Sequence, residues 1–166
     1  FVLGLVRTLH NRFLQKGIYA LSAVIISVSV MNFFYLYFSV FPREKSQIVQ
    51  YGIQEALAFA KENEKDYDSI VVSNRNNLRV SYMYYLFFNR YDPKLYQKEG
   101  GTKSGGLIEE HWIGKYNFVD PNKHPHEPRE LWIVNPGEIP ARGLRLLKKI
   151  YFLDGKEAIW IMGGSK

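Results

Sequence analysis

The chain of 166 residues contains no cysteine. That excludes disulfide scaffolds, Cys-ligated zinc sites, iron–sulfur clusters and thiol catalysis. Charge is missing from one place in particular: residues 17–41 carry none. Elsewhere there is little excess of one sign. Residues 1–16 hold Arg7, Arg12 and Lys16 and no acid, while residues 42–166 hold 19 bases and 16 acids. The net charge is +6, but it is not gathered on a basic face of the kind a nucleic acid needs. The densest basic group is Arg142, Arg145, Lys148 and Lys149, at helix-like spacing, and it reads as a solvated helix face. No nucleic-acid partner is expected. Hydrophobic residues make up 46% and charged ones 23%, which excludes wholesale disorder. Aromatics, by contrast, are abundant at 16%, and point to a membrane interface or a stacking surface. The first residue is Phe1 rather than Met, so the chain is expected to be a piece of a longer one.

The uncharged run of 25 residues, 17–41, is long enough for a membrane-spanning helix. At about 1.5 Å per residue it measures about 37 Å, against a hydrocarbon core of about 30 Å. Phe33, Phe34, Tyr35, Tyr37, Phe38 and Phe41 crowd its second half, as in the aromatic belt of a membrane–water boundary. Pro42 is expected to stop the helix. A buried core helix rarely runs so far without a charge. A signal peptide would be shorter and would end in small residues, not bulky ones. Arg7, Arg12 and Lys16 precede the span, and Arg43 and Lys45 follow it. Three bases against two place the N-terminal side in the cytoplasm, by a narrow margin. Phe1-Val2-Leu3-Gly4-Leu5-Val6 reads as the tail of an earlier apolar segment. The expected organisation is therefore the end of a preceding span and a short cytoplasmic loop (1–16), a transmembrane helix (17–41) and an extracytoplasmic domain (42–166).

Residues 42–166 read as a small α/β domain with a mixed sheet, mostly parallel with antiparallel edges. Residues 44–64 carry Val49, Ile53, Ala56, Leu57 and Ala60 at helical offsets, expected as one buried face. Gly52 would weaken that helix, with close packing as its reason. Ser69-Ile70-Val71-Val72-Ser73 reads as a buried strand, followed by a turn at residues 74–77. Residues 78–91 read as an aromatic helix ending before Asp92-Pro93. Residues 98–106 hold four glycines and read as a flexible loop. Residues 108–113 and 115–119 read as short strands, 120–128 as a loop, and 131–134 as a strand ended by Asn135-Pro136-Gly137. Residues 144–150 fit either a short helix or the start of a strand. Residues 151–153 and 158–162 read as a hairpin turning at Asp154-Gly155.

Few motifs carry chemistry. His124, His126 and Glu127 offer two imidazoles and a carboxylate, but three prolines make the segment an extended loop, and no metal is expected there. Residues 100–106 lack the spacing of a phosphate cradle and read as a lid or linker. Glu109, Glu110 and His111 offer acid–base groups without a visible partner. The more telling place is the end of the first strand. Ligands of open α/β sheets sit beyond the carboxyl ends of strands. Asn74, Arg75, Arg79 and Tyr82 follow that end, and two guanidinium groups there suit a phosphate or a carboxylate. An ordinary polar turn and core aromatics are the plainer readings of the same residues.

The span, then Tyr37-Phe38-Ser39-Val40-Phe41-Pro42, Gln50-Tyr51-Gly52, Tyr67-Asp68-Ser69-Ile70-Val71-Val72-Ser73-Asn74, Tyr84-Tyr85-Leu86-Phe87-Phe88-Asn89 and Tyr91-Asp92-Pro93 together carry a likeness. Over residues 1–97 the chain resembles the C-terminal end of bacterial membrane glycosyltransferases of family 39, the protein mannosyltransferase and aminoarabinose transferase type. The resemblance implies a polytopic enzyme of the cell membrane that transfers a sugar from a polyprenyl-phosphate donor on the outer face. Its partners would be membrane lipid and the lipid-linked sugar. The family's catalytic carboxylate lies in an early outer loop with no counterpart here. The domain would then help bind acceptor or cover the active site, with Asn74, Arg75, Arg79 and Tyr82 as contacts. The contrasting expectation is a membrane-anchored binding module without catalysis. A free-standing hydrolase or transferase is a weaker third, because no nucleophile–base pair is visible. Donor sugar, acceptor, cofactor and oligomeric state are not written in the sequence.

Overall fold

The computed structural model describes residues 12–103, 108–138 and 143–164. The chain divides into two compact units, Phe1–Arg43 and Glu44–Lys166. The readings made for residues 1–11 lie outside the described residues, as do Arg142 and residues 104–107 of the glycine-rich loop.

The first unit is helical. α1 (Arg12–Tyr35) runs into a π-turn (Leu36–Val40) and then α2 (Phe41–Lys45). Together they make one helical run, Arg12–Lys45, long and apolar enough to cross a membrane. No residue of α1 is buried. Phe33 stacks on Tyr37, Tyr37 on Phe41, and Phe34 on Phe38, at 5.8, 6.2 and 5.9 Å between ring centres. Each pair is four residues apart, where helical side chains meet. Pro42 does not end the helix, contrary to expectation. The π-turn ahead of it lets the Phe41 N–H donate to the Leu36 carbonyl, five residues back. Pro42 then falls in the first turn of α2, where no N–H is required.

The second unit is an α/β domain with a six-stranded mixed sheet in the order β2-β3-β1-β4-β6-β5. The strands are β1 (Ser69–Ser73), β2 (His111–Ile113), β3 (Tyr116–Val119), β4 (Glu130–Val134), β5 (Arg145–Tyr151) and β6 (Glu157–Gly163). The helices are α3 (Ile53–Glu62), α4 (Ser81–Phe88) and α5 (Pro93–Lys98). β1 is parallel to both β3 and β4. The pairs β2–β3, β4–β6 and β5–β6 are antiparallel. Two parallel pairings against three make the sheet mixed rather than mostly parallel. The alternation of β1 sorts its side chains onto two cores. Ile70 and Val72 pack with Ile53, Ala56, Leu57 and Ala60 of α3 and with Tyr82 of α4. Val71 faces the other way and packs with Val119, Trp132, Val134 and Met162. There the rings of His124 and His126, from the 120–129 loop, approach Trp132 at 5.5 and 5.9 Å.

Several boundaries differ from those read in the sequence. The helix expected at 44–64 is only α3. Residues 46–52 form hydrogen-bonded turns, such as Tyr51 N–H to the Ser46 carbonyl. Gly52 precedes α3 with φ at +92°, and a Cβ there would lie 2.7 Å from Ile150 Cγ2. Its left-handed backbone breaks the periodicity, so Val49 is exposed instead of joining the buried face. α4 is shorter than residues 78–91. No element is expected over residues 93–97 from the sequence, yet α5 forms there: Asp92 caps it by accepting from the Lys94 N–H at 2.9 Å and Pro93 opens it. Those are the marks of a helix start. Residues 145–151 resolve to a strand. Arg145, Lys148 and Lys149 therefore lie on β5, not on a helix, with Lys148 paired to Glu55 and Lys149 to Glu157.

Candidate functional site

β1 lies between two parallel neighbours, so the chain leaves it one way toward β3 and later returns on its other side as β4. Such a switch in strand order opens a crevice at the carboxyl ends of the strands. The pairing register brings Ser73 level with Val119, and Val72 level with both Phe118 and Ile133. His111 pairs with Phe118 across β2–β3. The residues that follow Ser73, Val119 and Val134, and those at the start of β2, therefore share one edge of the sheet.

Asn135 is the bolt between β1 and β4. Its Nδ2 donates to the Arg75 carbonyl at 3.0 Å and to Glu138 Oε2 at 2.9 Å, with Ser73 Oγ at 3.4 Å. Asn76 Nδ2 donates to the other oxygen of Glu138 at 3.0 Å. Among the described residues the buried Asn135 side-chain oxygen has no hydrogen-bond partner. Three acceptors around Nδ2 fix the amide orientation. Arg75 pairs with Asp120, the residue after β3, at 3.3 Å. Ser81 Oγ, at the start of α4, donates to the Ser73 carbonyl at 3.0 Å.

The second part of the edge is an imidazole among oxygens. His111 is 6% exposed and stacks on Tyr82 at 3.9 Å between ring centres. Its Nε2 lies 3.5 Å from Glu109 Oε2 and its Nδ1 3.5 Å from the Tyr96 hydroxyl. Both distances are long, and Nε2 has no hydrogen bond among the described residues. Burial lowers the pKa of His111, outweighing the pull of the Glu109 carboxylate, with Lys103 adding to the lowering. The ring is thus neutral near pH 7 and can take a proton. Glu109 also accepts from the Lys103 N–H at 3.0 Å. The Glu109 carbonyl takes a long bond of 3.5 Å from Asn74 Nδ2, which joins the two parts of the edge. Tyr96, Glu109, Glu110 and His111 line a cleft of about 180 Å³.

Of the residues singled out in the sequence, Asn74 and Tyr82 reach this second part and Arg75 the first. The exposed Arg79 side chain has no hydrogen bond or ion pair among the described residues. Sequence reasoning missed Asp120, Asn135 and Glu138. It also left Glu109 and His111 without a partner and did not see Tyr96. Asp120 and Asn135 each follow a strand that had been read from its pattern, so the rule applied to β1 would have found them. Tyr96 depends on α5, which was not read.

The other histidines serve a different end. Glu130 opens β4 at the opposite edge and is 1% exposed. It accepts from Ser69 Oγ at 2.8 Å, His124 Nε2 at 3.1 Å and the Glu127 N–H at 3.0 Å, with His126 Nδ1 at 3.7 Å. Both imidazoles turn to Glu130, and Glu127 contributes its backbone. Among the described residues no group of three or more His, Asp or Glu is placed to hold a metal. In comparisons with family models, curated proteins and solved structures, nothing matches this chain.

Proposed function

We propose that this chain is the C-terminal part of a polytopic membrane glycosyltransferase that uses a polyprenyl-phosphate-linked sugar. In this reading the helical run Arg12–Lys45 spans the cell membrane and residues 42–166 lie outside the cytoplasm. The α/β domain binds acceptor or donor headgroup, or covers an active site whose carboxylate lies elsewhere in the protein.

One observation carries the membrane part of this reading: the helix is apolar on every side and covered on none. Large apolar side chains from Phe13 to Phe41 stand exposed around it. Each is worth about 1.5–3 kcal/mol when removed from water, which favours a lipid surround for this helix. The ligand part is supported by Arg79, an exposed cation shortly after β1 with no side-chain partner among the described residues. Arg79 meets the phosphate, Asn74 meets a hydroxyl group, and Tyr82 backs the imidazole of His111.

The test is sugar transfer by the full-length protein in proteoliposomes, with polyprenyl-phosphate donors. Arg79→Ala should raise the donor KM and leave the protein folded. Absence of transfer with every donor, together with no spans encoded upstream, would overturn the reading. A second reading, a membrane-anchored binding module without catalysis, is favoured by the carboxylates of the crevice. Asp120 and Glu138 are both engaged, by Arg75 and by Asn76 and Asn135, and so suit scaffolding better than proton transfer. Upstream spans distinguish the two.

A further inference from the structure

α4 breaks the rule that a helix without charges is buried. Its sequence, Ser81-Tyr82-Met83-Tyr84-Tyr85-Leu86-Phe87-Phe88, is apolar or aromatic nearly all round. Ser81 and Tyr82 are buried against the sheet. The other side is bare: Phe87 is 75% exposed, Met83 45% and Phe88 36%. A helix apolar on every face is ordinarily covered on every face, and contiguous exposed apolar surface marks an interaction site. The patch is contiguous. Phe87 and Phe88 meet edge to face at 5.4 Å between ring centres, and Tyr84 stacks on Phe88 at 6.0 Å.

The patch continues into the segment that follows the long helix. Tyr84 and Phe88 line one groove with Val49 and Tyr51. The Tyr84 hydroxyl lies 3.5 Å from the Val49 carbonyl. Ile48 and Val49 are themselves exposed. Val49 stands four residues after Lys45, the last residue of the apolar helical run. Four residues reach at most about 14 Å, and the turns of residues 46–52 shorten that reach. Arg90, beside Phe87 on a groove lined also by Met83 and Tyr91, supplies a cation at the rim.

We propose that this face, Ile48, Val49, Met83, Phe87 and Phe88, rests in the headgroup layer of the same bilayer that the Arg12–Lys45 helix enters, with Arg90 on the lipid phosphates. The proposal rests on the reading of that helix as a span. The chemistry is that of interfacial anchoring: aromatic and aliphatic side chains enter the boundary between headgroups and acyl chains, and a base holds the phosphate. It also orients the domain. α4 faces lipid, and the 120–129 loop, which packs on the opposite side of the sheet, faces water.

The absence of cysteine makes the test clean, because a single introduced thiol labels uniquely. The full chain, in vesicles of phosphatidylethanolamine and phosphatidylglycerol, carries an environment-sensitive fluorophore at Phe87→Cys, Ile48→Cys, Val24→Cys or Lys123→Cys. Labels at 87 and 48 should emit blue of the label at 123. They should lose emission to a nitroxide on the lipid headgroup and keep it against aqueous iodide. The label at 24 should be quenched by a nitroxide deep in the acyl chains. A label at 24 open to iodide overturns the span itself. A membrane-embedded label at 24 with a label at 87 as water-accessible as that at 123 overturns the docking face alone. A label at 87 hidden from both quenchers means that protein covers the patch, and overturns it as well.

Discussion

His111 shows how one side chain ties chemistry to stability. Burial holds its pKa below the ordinary value, so the folded state binds this proton less readily than the unfolded state does. The stabilisation linked to it is complete above the unfolded value of about 6.5 and falls away as pH drops through that value toward the lower folded one. Urea midpoints measured across this range should decline toward acid in the parent and less steeply in His111→Gln. Equal slopes would remove His111 from the account. Asn135 makes a second case. Asn135→Ala leaves the Arg75 carbonyl without its side-chain donor, while Glu138 keeps the backbone N–H of residue 135, and should cost about 1–3 kcal/mol in denaturant unfolding. Asn135→Leu, which adds bulk without donors, should cost at least as much, whereas a surface change such as Lys123→Ala should stay within about 0.5 kcal/mol. At Gly52 the added methyl of Gly52→Ala meets Ile150 on a left-handed backbone. A loss of about 2 kcal/mol or more is expected, part of it returned by Ile150→Ala in a double-mutant cycle.

Among the elements, the sheet centre was the most legible part. Ser69–Ser73 and residues 131–134 are short, continuous apolar runs bounded by polar residues, and both proved to be central strands. Such strands are buried on both faces, and their sequence says so. Ile133→Ala should therefore cost about 2–5 kcal/mol, read from the shift in denaturant midpoint at unchanged slope. Helix boundaries were less legible. The pattern Val49, Ile53, Ala56 fits one helix, but a positive φ at Gly52 separates Val49 from the rest, and periodicity does not report φ. α5 was signalled only by its capping Asp92 and the Pro93 that opens it. β5 carries Leu146, Leu147 and Ile150 at irregular offsets because register shifts interrupt its pairing with β6, and a bulge erases the alternation that marks a strand. The site followed the same division. Residues directly after legible strands were within reach of reasoning. The Glu109, His111 and Tyr96 grouping required knowing that β2 folds back beside β3 and that α5 crosses near its start, which are long-range facts.

For the whole molecule, the long apolar helix sets the behaviour. The full chain should stay with the membrane fraction under alkaline carbonate, and recovery in the supernatant would refute the spanning reading. The central strand has a further consequence, for synthesis. Both neighbours of β1 come later in the chain: Ile70 pairs with Tyr116, and Ser69 with Glu130. At translation rates of about 5–20 residues per second, β1 emerges seconds before either partner exists. Until then its apolar residues have no sheet to join, while the helix before them is already made. A ribosome stalled before residue 130 would therefore hold a β1 strand whose β4 partner is not yet made.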